Sequence, residues 1–117
     1  MEWFPDGRHV LVTGSEAGKP VRSWVASLDG GGLRPLTPEG VRATRISPDS
    51  LSYLVAGPDK LLLGSMAGGA PKPHCDLEPG ESLIRWSGDG RYLFLRQALR
   101  RDMRINRLAV ATGHRET

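Results

Sequence analysis

Short apolar runs recur along the chain, and each follows a turn built from small and polar residues. Residues 9–12, 52–55 and 92–95 have the sequences HVLV, SYLV and YLFL. Runs of this length, rich in β-branched, leucine and aromatic residues, predict strands. No segment sustains the 3.6-residue period of an amphipathic helix. The pattern therefore predicts an all-β protein without a substantial helix.

The turn that introduces each run is itself repeated. It places a proline or glycine first, then an aspartate, then a glycine or serine. Proline suits the second position of a turn, aspartate bonds to backbone amides two residues on, and glycine accepts a positive φ. We therefore predict that these aspartates cap turns, and the alternative is a ring of carboxylates around a channel or a Ca²⁺ ion. The predicted structural turn residues are Pro5, Asp6, Gly7, Pro48, Asp49, Asp89 and Gly90.

A pair of glycines marks a second turn in each repeat. Residues 27–35 match residues 65–73 at an offset of 38, and a looser third copy places Gly113 82 positions after Gly31. Glycine pairs suit hairpin turns because such turns require positive φ. The apolar runs that flank each pair predict one strand entering the turn and a short strand leaving it. Each repeat is therefore predicted to be a four-stranded antiparallel meander.

The spacing of the repeats indicates the architecture. Pro5 and Pro48 are 43 positions apart, and Pro48 and Gly88 are 40 positions apart. A period of about 40–45 residues built from short strands is typical of a β-propeller blade. We expect a partial propeller over residues 1–117 with blade-like repeats at approximately 1–38, 39–79 and 80–117, the outermost of them incomplete.

These motifs resemble a known family. The Pro-Asp-Gly-Arg turn at residues 5–8 and the segment WVASLDGG at residues 24–31 resemble the WD40-like repeat of TolB-type β-propellers. Residues 78–113 also resemble the final blades of TolB-like sensor regions behind bacterial serine/threonine kinase domains. The resemblance implies an all-β, TolB-like propeller segment of about three blades. Ser50 and Gly88 depart from the repeat's usual turn residues, and a turn tolerates both.

Three blades are fewer than a propeller needs, because propellers close with about four to eight blades. An open arc leaves two sheet faces without neighbours. We therefore expect the chain to be part of a larger propeller, or to complete a ring by self-association. A two-fold dimer would supply six blades.

Positive charge is concentrated near the C-terminus. The 117-residue chain has a formal net charge of +3, from 16 Lys and Arg against 13 Asp and Glu. Five arginines fall within twelve residues, with one acidic residue, Asp102, among them. These arginines are the best candidate for a partner-binding surface, with an acidic protein as the partner, although the interpretation that we favour from the sequence is a solvated loop. No interleaved aromatic residues or known motif signal nucleic acid. The five are Arg96, Arg100, Arg101, Arg104 and Arg107.

Candidate chemistry is sparse, and we predict no catalytic residue, cofactor or metal. His74 and Cys75 are neighbours in a predicted strand, so they point to opposite faces and do not easily share one ion. Cys75 is the single cysteine, which excludes an internal disulfide. Trp3, Trp24 and Trp86 are expected to pack in the core, and the alternative is an aromatic binding platform.

The sequence therefore favours a non-catalytic recognition module, a scaffold or sensor that binds a protein or a small ligand at its loops. The resemblance leaves two alternatives: the gating propeller of a prolyl-oligopeptidase-like serine hydrolase, whose catalytic residues lie on a separate domain, and an accessory protein of an envelope complex. The N-terminus lacks the features of a signal peptide, and no apolar run reaches membrane-spanning length. The resemblance is compatible with periplasm or cytoplasm.

Overall fold

The computed structural model describes residues 2–117, which form twelve strands and no helix, and therefore no helix that could cross a membrane. The all-β prediction is confirmed. The strands are β1 (Glu2–Trp3), β2 (His9–Gly14), β3 (Arg22–Ser27), β4 (Gly32–Pro35), β5 (Arg45–Ile46), β6 (Ser52–Ala56), β7 (Lys60–Ser65), β8 (Lys72–Asp76), β9 (Glu81–Trp86), β10 (Tyr92–Leu99), β11 (Asp102–Ala109) and β12 (Arg115–Glu116).

The strands form three four-stranded antiparallel sheets, so the expectation that the outermost repeats are incomplete is wrong, because the two-residue strands β1 and β12 supply the fourth strand of the first and last sheets. In each sheet the spatial order follows the chain order, so that each is a simple meander. We call them blade 1 (β1–β4), blade 2 (β5–β8) and blade 3 (β9–β12). Meanders of this kind need only tight turns between neighbouring strands, which explains why the chain is so rich in glycine and proline.

Apolar side chains from neighbouring blades form two separate cores. The first core joins Phe4, Leu11 and Val25 of blade 1 to Tyr53 and Val55 of blade 2. Successive residues of a strand point to opposite faces of the sheet, so Leu54, which lies between Tyr53 and Val55, must face away from blade 1. It belongs to the second core, so β6 is buried on both of its faces.

The second core joins blade 2 to blade 3. It contains Leu54 and Leu61 from blade 2, and Trp86, Leu93 and Leu95 from blade 3. Leu54, Leu61, Leu93 and Leu95 are fully buried. Complete burial of a leucine contributes about 1.5–3 kcal/mol, so this core is a main determinant of how blades 2 and 3 pack.

Side-chain size is matched across β6 and β7. Tyr53 is fully buried and lies opposite Gly64, where an added Cβ would overlap its ring. The equivalent pair in blade 3 is Leu93 opposite Leu108. A large and a very small residue in blade 2 therefore occupy the space that two leucines occupy in blade 3.

A buried polar network closes blade 3. Glu81 accepts hydrogen bonds at Oε2 from Asn106 Nδ2 at 2.8 Å and Arg115 Nε at 3.0 Å, and at Oε1 from Arg115 Nη2 at 2.9 Å. Asn106 also donates to Gln97 Oε1 at 3.0 Å, and Arg115 to the backbone oxygen of Asp76 at 2.9 Å. The network therefore ties β12 to β9 and to blade 2.

The prediction that all three tryptophans pack in the core is wrong for Trp3. Trp86 is 9% exposed, and Trp24 is half-buried with the Arg22 guanidinium 5.3 Å from its ring centre, but Trp3 is 59% exposed. Trp3 occupies the repeat position of Ile46 and Trp86, whose side chains pack against the preceding blade. Within the described residues no blade precedes blade 1, so this position has nothing to pack against.

Candidate partner-binding surface

The arginines singled out by the sequence lie on the longest hairpin of the molecule. Strands β10 and β11 have eight residues each, whereas β2, β3, β6 and β7 have five or six. Pairing is continuous from Tyr92↔Ala109 to Leu99↔Asp102, and Arg100 and Arg101 form the turn. The two strands are therefore paired along their whole length, up to the turn.

The structure brings the five arginines to one hairpin but not to one face. Arg96 lies opposite Ile105 and Arg107 opposite Phe94, which places both arginines on the face turned away from blade 2. The side chain of Arg104 projects from β11 to the other face of the sheet. Arg100 and Arg101 extend from the turn, and all five side chains belong to exposed residues.

Only some of these charges are neutralised. The Nε of Arg104 lies 3.6 Å from Asp102 Oδ2, and Arg107 Nη2 donates to Glu116 Oε2 at 2.6 Å. The hydrogen bond to Glu116 raises the pKa of Arg107 above its ordinary value. In the part of the chain that the structure describes, the remaining three arginines have no carboxylate within 4.0 Å. The unpaired arginines are Arg96, Arg100 and Arg101.

Apolar residues that the sequence analysis missed are interleaved with the arginines. Met103 is 58% exposed and Ile105 is 52% exposed, and Phe94 is partly buried beside them. The signal for Met103 and Ile105 is the alternation along β11, where they share one face with Arg107. Strand pairing with β10 was needed to show that Phe94 lies on the same face.

The predicted turn aspartates all bond to their own loops. Asp49 Oδ1 accepts from Ser47 Oγ at 2.6 Å and from the Leu51 amide at 3.0 Å. Asp89 Oδ1 accepts in the same way from Ser87 Oγ at 2.7 Å and the Arg91 amide at 3.0 Å. Asp6 Oδ1 accepts from the Arg8 amide at 2.8 Å and the His9 amide at 3.2 Å, and its Oδ2 lies 2.8 Å from His9 Nδ1.

These bonds make the turns sensitive to acid. The Ser47 and Ser87 hydroxyls are the main causes that lower the pKa of Asp49 and Asp89 below the ordinary value of 3.8, and the Arg8 amide is the main cause for Asp6. A carboxylate whose pKa is lower in the folded state stabilises the fold above its unfolded pKa. That contribution is lost as the pH falls through the folded pKa.

We therefore expect the free energy of unfolding to decline with acid below about pH 4, partly through these turns. The variant Asp49→Asn/Asp89→Asn should show a shallower decline, because an amide does not titrate in this range. Urea unfolding followed by tryptophan fluorescence at a series of pH values measures the slope. An unchanged slope in the double variant would contradict a role for these turns in acid stability.

A cleft of about 400 Å³ lies between the turns of blades 2 and 3. Asp49 and Asp89 stand at its sides, and Trp86, Leu63 and Val110 are among the residues that line it. One oxygen of each carboxylate is used in bonds to its own turn. The cleft is therefore partly apolar, and the two aspartates at its sides already bond to their own turns.

His74 and Cys75 are adjacent residues of β8, and Cys75 pairs with Leu61 of β7. Burial is the main cause that raises the pKa of the Cys75 thiol, although the positive charge of Arg115 opposes this effect. A thiol of this kind stays protonated at neutral pH. Among residues 2–117, no three His, Cys, Asp or Glu side chains are grouped so that they could hold a metal ion.

No protein-family model matches the chain, and no curated protein sequence matches it. Similar solved structures include a protein described as TolB from Agrobacterium tumefaciens, with a TM-score of 0.74 and 19% identity over 97% of this chain and 43% of that one. TolB from Acinetobacter baumannii has a TM-score of 0.70 and 17% identity over 98% of this chain and 30% of that one.

The chain spans less than half the length of either protein. At these identities the likeness concerns the fold, and it agrees with the three meanders, the repeated turns and the two cores between blades. The predicted resemblance is confirmed at that level. This chain has the fold of a segment of a TolB-type β-propeller.

Proposed function

We propose that this propeller segment is a non-catalytic recognition module, and that its β10–β11 hairpin binds a protein partner with an acidic surface. The observation that carries the proposal is the group of unpaired arginines on one hairpin: Arg100 and Arg101 lie in its exposed turn, and Arg96 lies in β10 three positions before the end of that strand. Positive charge held in one place attracts an acidic partner and accelerates encounter. A fully paired support also reduces the entropy lost on binding.

A protein partner fits this hairpin better than a nucleic acid does. Met103 and Ile105 are more than half exposed beside the arginines, and a phosphate backbone offers nothing apolar to cover them. Arginine and methionine are both enriched at protein interfaces. The geometry of the described residues favours neither the hydrolase-gating alternative nor the envelope-accessory alternative, and the likeness to kinase-linked sensor regions stays a prediction.

The first test uses a short fluorescein-labelled peptide of alternating glutamate and glycine. Fluorescence anisotropy should show that the chain binds it and that affinity falls as salt is added, because exposed charges are screened. The variant Arg100→Glu/Arg101→Glu should bind at least about tenfold more weakly, since two attractive charges become repulsive. Both residues lie in an exposed turn, so the fold should be retained.

The matched control is Arg34→Glu/Arg42→Glu, which changes net charge by the same amount at exposed positions outside the hairpin. We expect its affinity for the peptide to fall by much less. Equal losses in the two double variants would mean that net charge alone governs binding and would contradict a site on the hairpin. Tighter binding of a single-stranded oligonucleotide of equal charge would contradict the choice of a protein partner.

A further inference from the structure

We propose that the outer face of blade 3 is a docking surface for an amphipathic acidic segment of the partner. The docking residues on this face are Phe94, Arg96, Met103, Ile105 and Arg107, and the face also carries Glu116, the ion-pair partner of Arg107. Apolar side chains of the segment would pack on Phe94, Met103 and Ile105, and its carboxylates would pair with Arg96 and the arginines at the hairpin tip. The inference rests on the function proposed above and specifies the surface and the chemistry of the ligand.

Strand pairing shows that these side chains share one face. Phe94 lies opposite Arg107, Arg96 opposite Ile105, and Ala98 opposite Met103. Residues directly opposite each other in an antiparallel pair project to the same side of the sheet. The other side of the same strands carries Leu93, Leu95 and Leu108, which are buried against blade 2. The outer face is therefore exposed while its reverse is part of the core.

The repeat shows what normally covers such a face. In blade 1 the equivalent pair is Leu11 opposite Val25, and both are buried against blade 2. In blade 2 the equivalent pair is Leu54 opposite Leu63, which packs against blade 3. Blade 3 has Phe94 at the first position and Arg107 at the second. A charge therefore stands where the other two blades have an aliphatic core residue.

The surroundings of Arg107 argue against another apolar blade as the occupant. Its guanidinium is 4.3 Å from the ring centre of Tyr92, and it pairs with Glu116 at 2.6 Å. The two charged side chains are 43% and 48% exposed. A covering apolar sheet would remove both charges from water, and the cost of that desolvation can exceed the gain from the pair. A segment that carries carboxylates beside its apolar residues offsets part of this cost, because its charges attract the arginines of this face.

Charge also argues against a second copy of the chain. The face that a second copy would present, by analogy with the internal contacts, is the outer face of blade 1. Its strands contribute Trp3, Trp24 and Leu33, and their only charged side chain on that face is Arg22. Pairing this face with blade 3 would place Arg22 in the same interface as Arg96 and Arg107, whereas an acidic segment supplies the opposite charge.

The test compares two labelled peptides with the same number and spacing of glutamates. One has leucine at alternate positions, and the other has serine in place of each leucine. The chain should bind the leucine peptide about tenfold more tightly, the gain from covering two half-exposed apolar side chains. The variant Met103→Ser/Ile105→Ser should lose that preference but still bind the serine peptide through the arginines.

Leu33→Ser is the matched control, because Leu33 is 58% exposed on the opposite end of the segment. It should leave the preference for the leucine peptide unchanged, and circular dichroism should confirm that all variants remain folded. Equal binding of both peptides by the unmodified chain would overturn the docking surface but leave the proposed function intact. Binding of neither would overturn both. A dimer in light scattering that Met103→Ser/Ile105→Ser dissociates would assign the face to a second copy and overturn the proposal.

Discussion

Gly64→Ala should lower the free energy of unfolding by about 3 kcal/mol, because the new methyl group has no space. Its Cβ would overlap the ring of Tyr53, which is fully buried between blades 1 and 2. The ring belongs to the same core as Val55 and Phe4, so any shift has to be accommodated by side chains that are already buried. Urea unfolding followed by circular dichroism measures the loss.

Gly14→Ala is the control, because Gly14 also lies in a strand and an added Cβ there meets no atom within 4 Å. Its unfolding free energy should change by less than about 1 kcal/mol. Adding Tyr53→Leu to Gly64→Ala should restore part of the loss, since blade 3 has leucine at the position of Tyr53. If the Gly64→Ala variant unfolded at the same urea concentration as the unmodified chain, the core would have repacked around the added methyl group, and the prediction would be wrong.

Arg115→Ala is the second substitution with a large expected effect. It should lower the free energy of unfolding by about 3 kcal/mol, because it leaves the buried carboxylate of Glu81 without its cation. The side chain of Glu81 has no exposed surface, and that of Arg115 is 23% exposed. The substitution also removes the hydrogen bond from Arg115 to the backbone oxygen of Asp76. We expect a lower urea midpoint and faster hydrogen exchange in β12, which this side chain joins to the rest of the blade.

Lys19→Ala provides the comparison for an exposed ion pair. Lys19 lies 3.2 Å from Glu16, and both side chains are 56% exposed. Pairs of this kind contribute less than about 1 kcal/mol, because water already solvates both charges. Adding Glu81→Gln to Arg115→Ala should recover part of the stability, since a neutral amide costs less to bury. If Arg115→Ala lost no more than Lys19→Ala, the buried network would contribute nothing beyond a surface pair.

The proposed recognition surface could be predicted only in part from the sequence. The density of arginine between Arg96 and Arg107 is visible in the residue order, and so is their position near a turn. Which of them share a face depends on the β10–β11 register, which no single strand specifies. The exposure of Met103 and Ile105 depends on the absence of a covering sheet among the described residues. The alternation along β11 therefore indicates that Met103 and Ile105 share a face, but only the tertiary structure shows that they are exposed and that Phe94 lies beside them.

The sequence determined the repeat, the strands and the turns, because these depend on interactions within a few residues. The Asp49 and Asp89 turns are examples, since each aspartate bonds to its own loop. The sequence did not determine which side of a strand is covered. In β6 every position from Tyr53 to Val55 is apolar, so the pattern of apolar and polar residues does not indicate which blade each residue contacts.

Only the tertiary structure shows which side chains are buried, because burial depends on neighbours that are distant in the chain. Trp3 and Trp86 occupy the same position of the repeat, yet the first is 59% exposed and the second 9%. Glu81 and Arg115 lie 34 positions apart and carry no shared local signal, but they form the ion pair that closes blade 3. Local chemistry specified the elements of each blade, and the packing of one blade on the next specified which surfaces remain free to bind.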